Sequence, residues 1–91
     1  MALYKVEIAK SVRKKDLPAI PKTDVVRIVK RIESLDEDPF PAGAVRLKGR
    51  EEWRIRQGDY RILYLVEQTV VTVFVVRVGH RREIYRKYND L

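Results

Sequence analysis

The stretch Trp53–Tyr64, W-R-I-R-Q-G-D-Y-R-I-L-Y, decides the fold because it contains two strands and the turn between them. Side chains alternate between the two faces of a strand, so the tryptophan and isoleucine should point one way and Arg54 and Arg56 the other. The Gln-Gly-Asp that follows suits a turn, since glycine tolerates a positive φ angle and aspartate can hydrogen-bond its own backbone. The return strand brings Arg61 beside the first two arginines. We therefore predict a β-hairpin with a cationic face, although arginines that alternate along a strand more often form a solvated surface.

The size and charge of the chain limit what it can be. Its 91 residues, 45% of them hydrophobic, suffice for a single domain over residues 1–91 with a modest core. Twenty Lys and Arg against 13 Asp and Glu give a net charge of +7 and a pI near 9.9. Such a balance favours a polyanionic partner such as nucleic acid.

The composition also argues against disulfides, metal sites, cofactors and membrane segments. Without cysteine there is no disulfide framework, thiol nucleophile or thiolate zinc site, and a single histidine argues against a bound transition metal. We expect neither a metal nor a cofactor. The amino terminus lacks the apolar stretch of a signal peptide, and the longest apolar run, around Val73–Val76, is far too short to span a bilayer. The sequence thus predicts a cytoplasmic protein with no membrane partner.

The first half of the chain predicts a strand and two helices. Apolar residues alternate through Leu3–Ile8, as in a strand with one covered face. A short helix is expected over Ala9–Leu17, before Pro18. A clearer helix is expected over Thr23–Leu35, where the apolar residues recur at helical spacing. Its apolar stripe is formed by Val25, Ile28, Val29, Ile32 and Leu35.

The second half predicts strands. Val45–Gly49 is expected to form an edge strand, and the β-branched run Thr69–Val78 a central strand covered on both faces and ended by Gly79. The predicted fold class is therefore α+β. It is a small twisted, mostly antiparallel sheet with two N-terminal helices packed on one face and a short basic C-terminal segment.

Three phrases of this sequence resemble one protein family. L-K-G at Leu47–Gly49, the hairpin at Trp53–Tyr64 and V-G-H-R-R-E-I-Y at Val78–Tyr85 are similar to the RelE/ParE superfamily of toxins from toxin–antitoxin systems, and most similar to its RelE branch. The resemblance implies a RelE-like fold and an mRNA interferase, an endoribonuclease that cuts mRNA in the ribosomal A site. It also implies as partners a RelB-like antitoxin, and mRNA and ribosomal RNA on the ribosome.

The expected chemistry can be matched to residues. Metal-independent RNA cleavage requires the 2′-hydroxyl to lose a proton, the 5′-oxygen to gain one, and fixed cations to neutralise the phosphate. Arg61 and Arg81 match the family's positions and suit the third task, because guanidinium stays charged and offers a planar fork to phosphate oxygens. Tyr85 matches the family's catalytic tyrosine, and neighbouring arginines would favour its phenolate. An aromatic anchor for the tail is the structural alternative for Tyr85.

The chain departs from the best-known RelE pattern at its first hairpin strand. Where that pattern has two lysines, this chain has Arg54 and Arg56, which can hold phosphate but release a proton poorly. His80 is the natural substitute as general acid, since histidine titrates near neutrality. A histidine that merely caps or packs at a strand end is the competing interpretation. The other cations expected to contact RNA, besides Arg54 and Arg56, are Lys48, Arg82 and Arg86.

Two other function classes fit the sequence. A ParE-like protein would inhibit DNA gyrase by protein contact, with no need for the catalytic set. A catalytically degenerate relative would only bind RNA or an antitoxin. Tyr60 and Tyr64 share a face of the hairpin, where packing is favoured over stacking on an RNA base.

Overall fold

The computed structural model describes residues 3–84, and the predicted site residues Tyr85 and Arg86 lie outside this range. Within this range, one strand is followed by two helical regions and then by four strands. The first region consists of a π-helical turn (Val12–Asp16) and a 3₁₀ turn (Leu17–Ala19), and the second of α1 (Lys22–Glu33) and a 3₁₀ turn (Ser34–Asp36). The strands are β1 (Lys5–Ile8), β2 (Val45–Arg46), β3 (Trp53–Gln57), β4 (Tyr60–Glu67) and β5 (Thr72–His80).

The five strands form one sheet in the order β1-β5-β4-β3-β2. β1 runs parallel to β5, and the other three neighbouring pairs are antiparallel. The predicted α+β fold, a mostly antiparallel sheet with N-terminal helices on one face, is confirmed. The hairpin is also confirmed, with Gly58 at a positive φ of 59° in its turn.

The helices cover one face of this sheet. Ile28 and Ile32 of α1 and Leu35 beyond it are fully buried, as the predicted stripe requires, whereas Val26 on the outer side is 64% exposed. α1 begins after Pro21 and carries Lys30 and Arg31 in its last turn, where cations complement the helix dipole. The sheet contributes the buried residues Ile55, Ile62, Tyr64, Val73, Val75 and Val78 to the same core.

A β-bulge interrupts the pairing of β4 with β5. Leu63 lies opposite Arg77, but the next residue, Tyr64, lies opposite Val75, so Val76 is an extra residue in β5. An extra residue reverses the alternation of side chains beyond it. Val78 consequently faces the same core as Val75, and Arg77 faces the other way.

Several predicted boundaries are wrong. β2 is only two residues long, because Leu47 N–H bonds Glu52 O at 2.9 Å and Arg50 N–H bonds Leu47 O at 3.1 Å, which closes a tight turn. The first helical region is not a regular α-helix but a π turn followed by a 3₁₀ turn, with Pro18 in the latter.

β5 also differs from its prediction. It starts at Thr72 instead of Thr69, because residues 68–71 form the turn. It continues through Gly79 to His80, since Gly79 stays paired with Arg61. Its second face is only half-buried, at Phe74 and Arg77, because α1 and the helical turns beside it pack on the other face. Within residues 3–84, every helix is too short or too polar to cross a bilayer.

Candidate functional site

Four arginines lie on the face of the sheet opposite α1. Residues directly opposite each other on neighbouring strands share a face. One such row is Arg54–Leu63–Arg77, and the next is Arg56–Arg61–Gly79. On each strand, the residue between the two rows points to the opposite face. These residues, Ile55, Ile62 and Val78, belong to the core under the helices. We call the surface formed by Arg54, Arg56, Arg61 and Arg77 the arginine face.

Arg61 is the most enclosed member of this face, with 8% of its surface exposed. Its Nη1 donates to Gly58 O at 3.3 Å and to Tyr60 O at 3.2 Å. The hairpin turn therefore fixes the guanidinium in position. A guanidinium carries its N–H donors in a planar fork, the geometry that suits the oxygens of a phosphate.

Arg56 is exposed and lies directly opposite Arg61. Like charges directly opposite each other on a sheet destabilise it. An anion placed between these two side chains would remove that repulsion. Arg54 and Arg77 are half-buried in the neighbouring row, on either side of the buried Leu63.

Arg81 lies where β5 meets the hairpin turn. Its backbone N–H bonds Asp59 O at 2.7 Å, which extends the pairing with the hairpin beyond His80. Its Nε lies 3.7 Å from Asp59 Oδ1, and half of the side chain is exposed. An exposed pair of this length is weak, so a phosphate could replace the Asp59 carboxylate. The structure thus places Arg81 at the turn that fixes Arg61.

His80 lies on the other side of the sheet. It is paired with Tyr60, and its ring meets that of Tyr60 edge-on with centroids 5.7 Å apart. Its Nδ1 accepts a hydrogen bond from Arg82 N–H at 3.1 Å, which caps the turn after β5. His80 shares the helix face with Val78, so the structure does not bring it together with Arg61.

The remaining predicted RNA contacts are spread along the molecule. Lys48 is exposed in the turn between β2 and β3, and Arg82 is exposed after β5, so the two lie at opposite ends of β3. Tyr85 and Arg86 fall outside residues 3–84. Arg77 was missed by the sequence analysis, since strict alternation from Val73 and Val75 would place it in the core. Only the bulge turns it outward.

The tyrosines of the hairpin pack instead of facing the arginines. Tyr64 is fully buried and its hydroxyl donates to Pro39 O at 2.7 Å, so the packing interpretation is confirmed for this residue. Burial raises the pKa of Tyr64 to about 12. The pKa of Tyr60 is also raised, first by burial and then by the Asp24 carboxylate. Among residues 3–84, no cluster of three or more His, Asp or Glu side chains could hold a metal ion.

The fold is that of RelE toxins. The RelE toxin of Escherichia coli in its free state, a mutant form, superposes with a TM-score of 0.76 at 23% identity, covering 97% of this chain and 93% of that one. The Mycobacterium tuberculosis toxin–antitoxin complex RelBE2 gives a TM-score of 0.76 at 27% identity, covering 86% and 98%. The RelE–RelB complex of Pyrococcus horikoshii gives 0.75 at 28% identity, covering 87% and 96%.

Sequence comparison gives the same family. The profile of the ParE toxin of type II toxin–antitoxin systems, parDE, matches residues 6–85. The toxin RelG of Mycobacterium tuberculosis is 30% identical over 86 residues, covering 92% of this chain and 98% of RelG. The putative toxin RelE1 of Methanocaldococcus jannaschii is 31% identical over 87 residues, covering 91% and 96%. The chain belongs to the RelE/ParE superfamily and is a RelE-family toxin of a type II toxin–antitoxin system.

Proposed function

We propose that this toxin inhibits translation as a ribosome-dependent endoribonuclease that cleaves mRNA in the A site. The observation that carries the proposal is the direct opposition of Arg56 and Arg61 on the face of the sheet opposite α1. Two cations in this position favour a bound anion, and Arg81 lies at the adjoining turn. The similarity to RelE toxins supports mRNA as the source of that anion.

In the proposed reaction, the 2′-hydroxyl oxygen attacks the adjacent phosphorus and the bond to the 5′-oxygen breaks. The products are a 2′,3′-cyclic phosphate and a 5′-hydroxyl. Negative charge builds on the phosphate oxygens in the transition state, where guanidinium groups already fixed in place stabilise it. Arg61 performs this task from its position on the hairpin turn, and Arg81 supports it from the end of β5.

Two protons must move in this reaction. Tyr85, which lies outside residues 3–84, is proposed to accept the 2′-hydroxyl proton, on the strength of its match to the family tyrosine. His80 was the candidate for protonating the 5′-oxygen, but it lies on the helix face beside Tyr60. In our proposal the leaving oxygen therefore takes its proton from water or from a group of the ribosome.

The proposed partners follow from the same site. Relatives with the same fold have been solved as complexes of RelE with RelB, from Pyrococcus horikoshii and other organisms. We propose a RelB-like antitoxin that covers the arginine face or displaces the segment carrying Tyr85. Ribosomal RNA and mRNA are the proposed targets of the free toxin, with no metal or other cofactor, and its place of action would be the cytoplasm.

The test is incubation of the purified toxin with ribosomes programmed with a defined message. We expect a cut within the A-site codon, a 2′,3′-cyclic phosphate at the new end, and no cut in the same message without ribosomes. Gyrase supercoiling is assayed in parallel. Inhibited supercoiling with an intact message would favour a ParE-like function, and neither effect would indicate a degenerate relative.

A further inference from the structure

A β-bulge near the end of β5 turns one additional arginine toward the proposed RNA site. Val76 is the extra residue of the bulge, and the two residues after it exchange the faces that strict alternation would give them. Arg77 thereby leaves the core side and Val78 enters it, where it is 3% exposed. Bulges are frequent next to active sites, where they re-aim side chains.

The bulge coincides with the point where β5 loses its other neighbour. β1 pairs with β5 only as far as Ile8 opposite Val75, and the last backbone bond between them runs from Ala9 N–H to Val75 O at 2.9 Å. From Val76 onward, the outer edge of β5 has no strand beside it among residues 3–84. A buried backbone N–H on that edge needs another acceptor.

Asp16 supplies this acceptor. Its Oδ2 accepts a hydrogen bond from Val78 N–H at 2.9 Å, across 62 residues of sequence, and the residue is only 9% exposed. Asp16 is the last residue of the π-helical turn Val12–Asp16, and such turns occur often at functional sites. The carboxylate thus holds β5 one residue after Arg77, in the register that the bulge has set.

We propose that Arg77 is an additional phosphate-binding residue of the arginine face, and that Asp16 is the positioning residue that holds it there. This inference rests on the proposed RNA-binding function. Arg77 lies in the same row as Arg54, and the next row on that face holds Arg56 and Arg61. These two adjacent rows can hold neighbouring phosphates of one RNA strand. A planar guanidinium suits this task because it can bind phosphate oxygens in pairs.

The test measures binding of the full chain to a single-stranded RNA oligonucleotide whose 2′-hydroxyls are methylated, so that it cannot be cut. Fluorescence anisotropy across a range of salt concentrations gives both the affinity and its salt dependence. Each phosphate contact on a single strand contributes about 0.7 to the slope of log K against log salt. We expect Arg77→Ala and Arg56→Ala each to weaken binding several-fold and to lower the slope by about 0.7. Arg27→Ala, on the outer side of α1, is the matched control and should leave the slope unchanged.

The results distinguish failure of the Arg77 inference from failure of the proposed RNA-binding face. If Arg56→Ala weakens binding while Arg77→Ala equals the wild type, the inference is wrong and the RNA-binding face stands. If the wild type binds no better than Arg56→Ala, the RNA-binding face is wrong, and the inference is wrong with it.

A double-mutant cycle tests Asp16. Asp16→Ala should weaken RNA binding when Arg77 is present and have no effect in the Arg77→Ala protein, whereas Asp16→Asn, which keeps an acceptor oxygen, should stay close to the wild type. An equal loss in both backgrounds would show that Asp16 is merely structural and would contradict its positioning role. If Asp16→Ala fails to fold, Asp16→Ser repeats the cycle with a hydroxyl too short to replace the carboxylate.

Discussion

The arginines on the first hairpin strand can stabilise charge in the proposed reaction but cannot transfer its protons. Arg54 and Arg56 carry guanidinium groups, which stay charged and do not exchange protons at neutral pH. The arginine face is therefore suited to binding phosphate and stabilising charge. The proton transfers must be carried out by other groups, and the position of each candidate relative to this face decides whether it can take part.

His80 is the residue for which sequence and geometry differ most. Its Nδ1 is engaged by Arg82 N–H and its ring contacts Tyr60 on the helix face, so we expect His80→Gln to keep ribosome-dependent cleavage within about threefold of the wild type. The measurement is the single-turnover rate of cleavage as a function of pH, for His80→Gln and the wild type. A hundredfold loss in His80→Gln, with an ionisation missing from the rate profile, would make His80 the general acid.

Tyr64 should make the folded protein sensitive to alkali. Its pKa is raised to about 12 by burial, against about 10 for tyrosine in an unfolded chain. The stabilisation is thus fully present below pH 10 and is lost as pH rises toward 12, by up to about 3 kcal/mol. Denaturant titrations between pH 9 and pH 12 should show a shallower fall in stability for Tyr64→Phe. An identical fall in both proteins would mean that Tyr64 ionises normally.

At the scale of elements, α1 should contribute stability through one stripe. Ile28 and Ile32 are fully buried, so truncating either to alanine should lower the free energy of unfolding by about 2–5 kcal/mol. Val26→Ala on the exposed side of the same helix is the control, and it should change the free energy by less than about 0.5 kcal/mol. Equal effects of Ile28→Ala and Val26→Ala in denaturant titrations would contradict this packing.

The turn between β4 and β5 contains an unfavourable residue. Val71 has φ of 48°, a region that β-branched residues avoid, and its carbonyl accepts Lys5 N–H at 2.9 Å. Val71→Asn keeps this backbone bond and suits the left-handed conformation, so it should stabilise the protein by about 0.5–1 kcal/mol. The midpoint of urea unfolding provides the measurement, with Val70→Asn in the same turn as the control. A lower midpoint for Val71→Asn would show that the valine side chain makes a stabilising contact.

These elements show which features a sequence can reveal. The stripe of α1 and the arginine alternation of β3 depend on local periodicity, so both were predictable. The bulge at Val76 depends on pairing between β4 and β5, and without it the face of Arg77 and His80 is predicted incorrectly. Asp16 was equally hidden, because its partner Val78 is 62 residues away. The short β2 depends on the closing of a turn at residues 47–52, which the alternating pattern did not show.

The chain has a net charge of +7, and its cations lie on both the helical layer and the sheet. α1 carries exposed cations such as Arg27 and Lys30, while the arginine face occupies the opposite side of the sheet. Charge on either side would draw the protein toward RNA at long range. Within the arginine face, Arg61 is held by two hydrogen bonds to the hairpin, and a cation fixed in position is what transition-state stabilisation requires.

The most direct measurement is therefore the single-turnover rate of A-site cleavage by two variants that lose the same charge. Arg61→Ala removes the cation fixed by the hairpin turn, and Arg27→Ala removes one from the outer side of α1. We predict that Arg61→Ala slows the cleavage step about 10²-fold or more while ribosome binding changes little, and that Arg27→Ala stays within about twofold of the wild type. Equal cleavage rates for the two variants would contradict the assignment of the site to the arginine face.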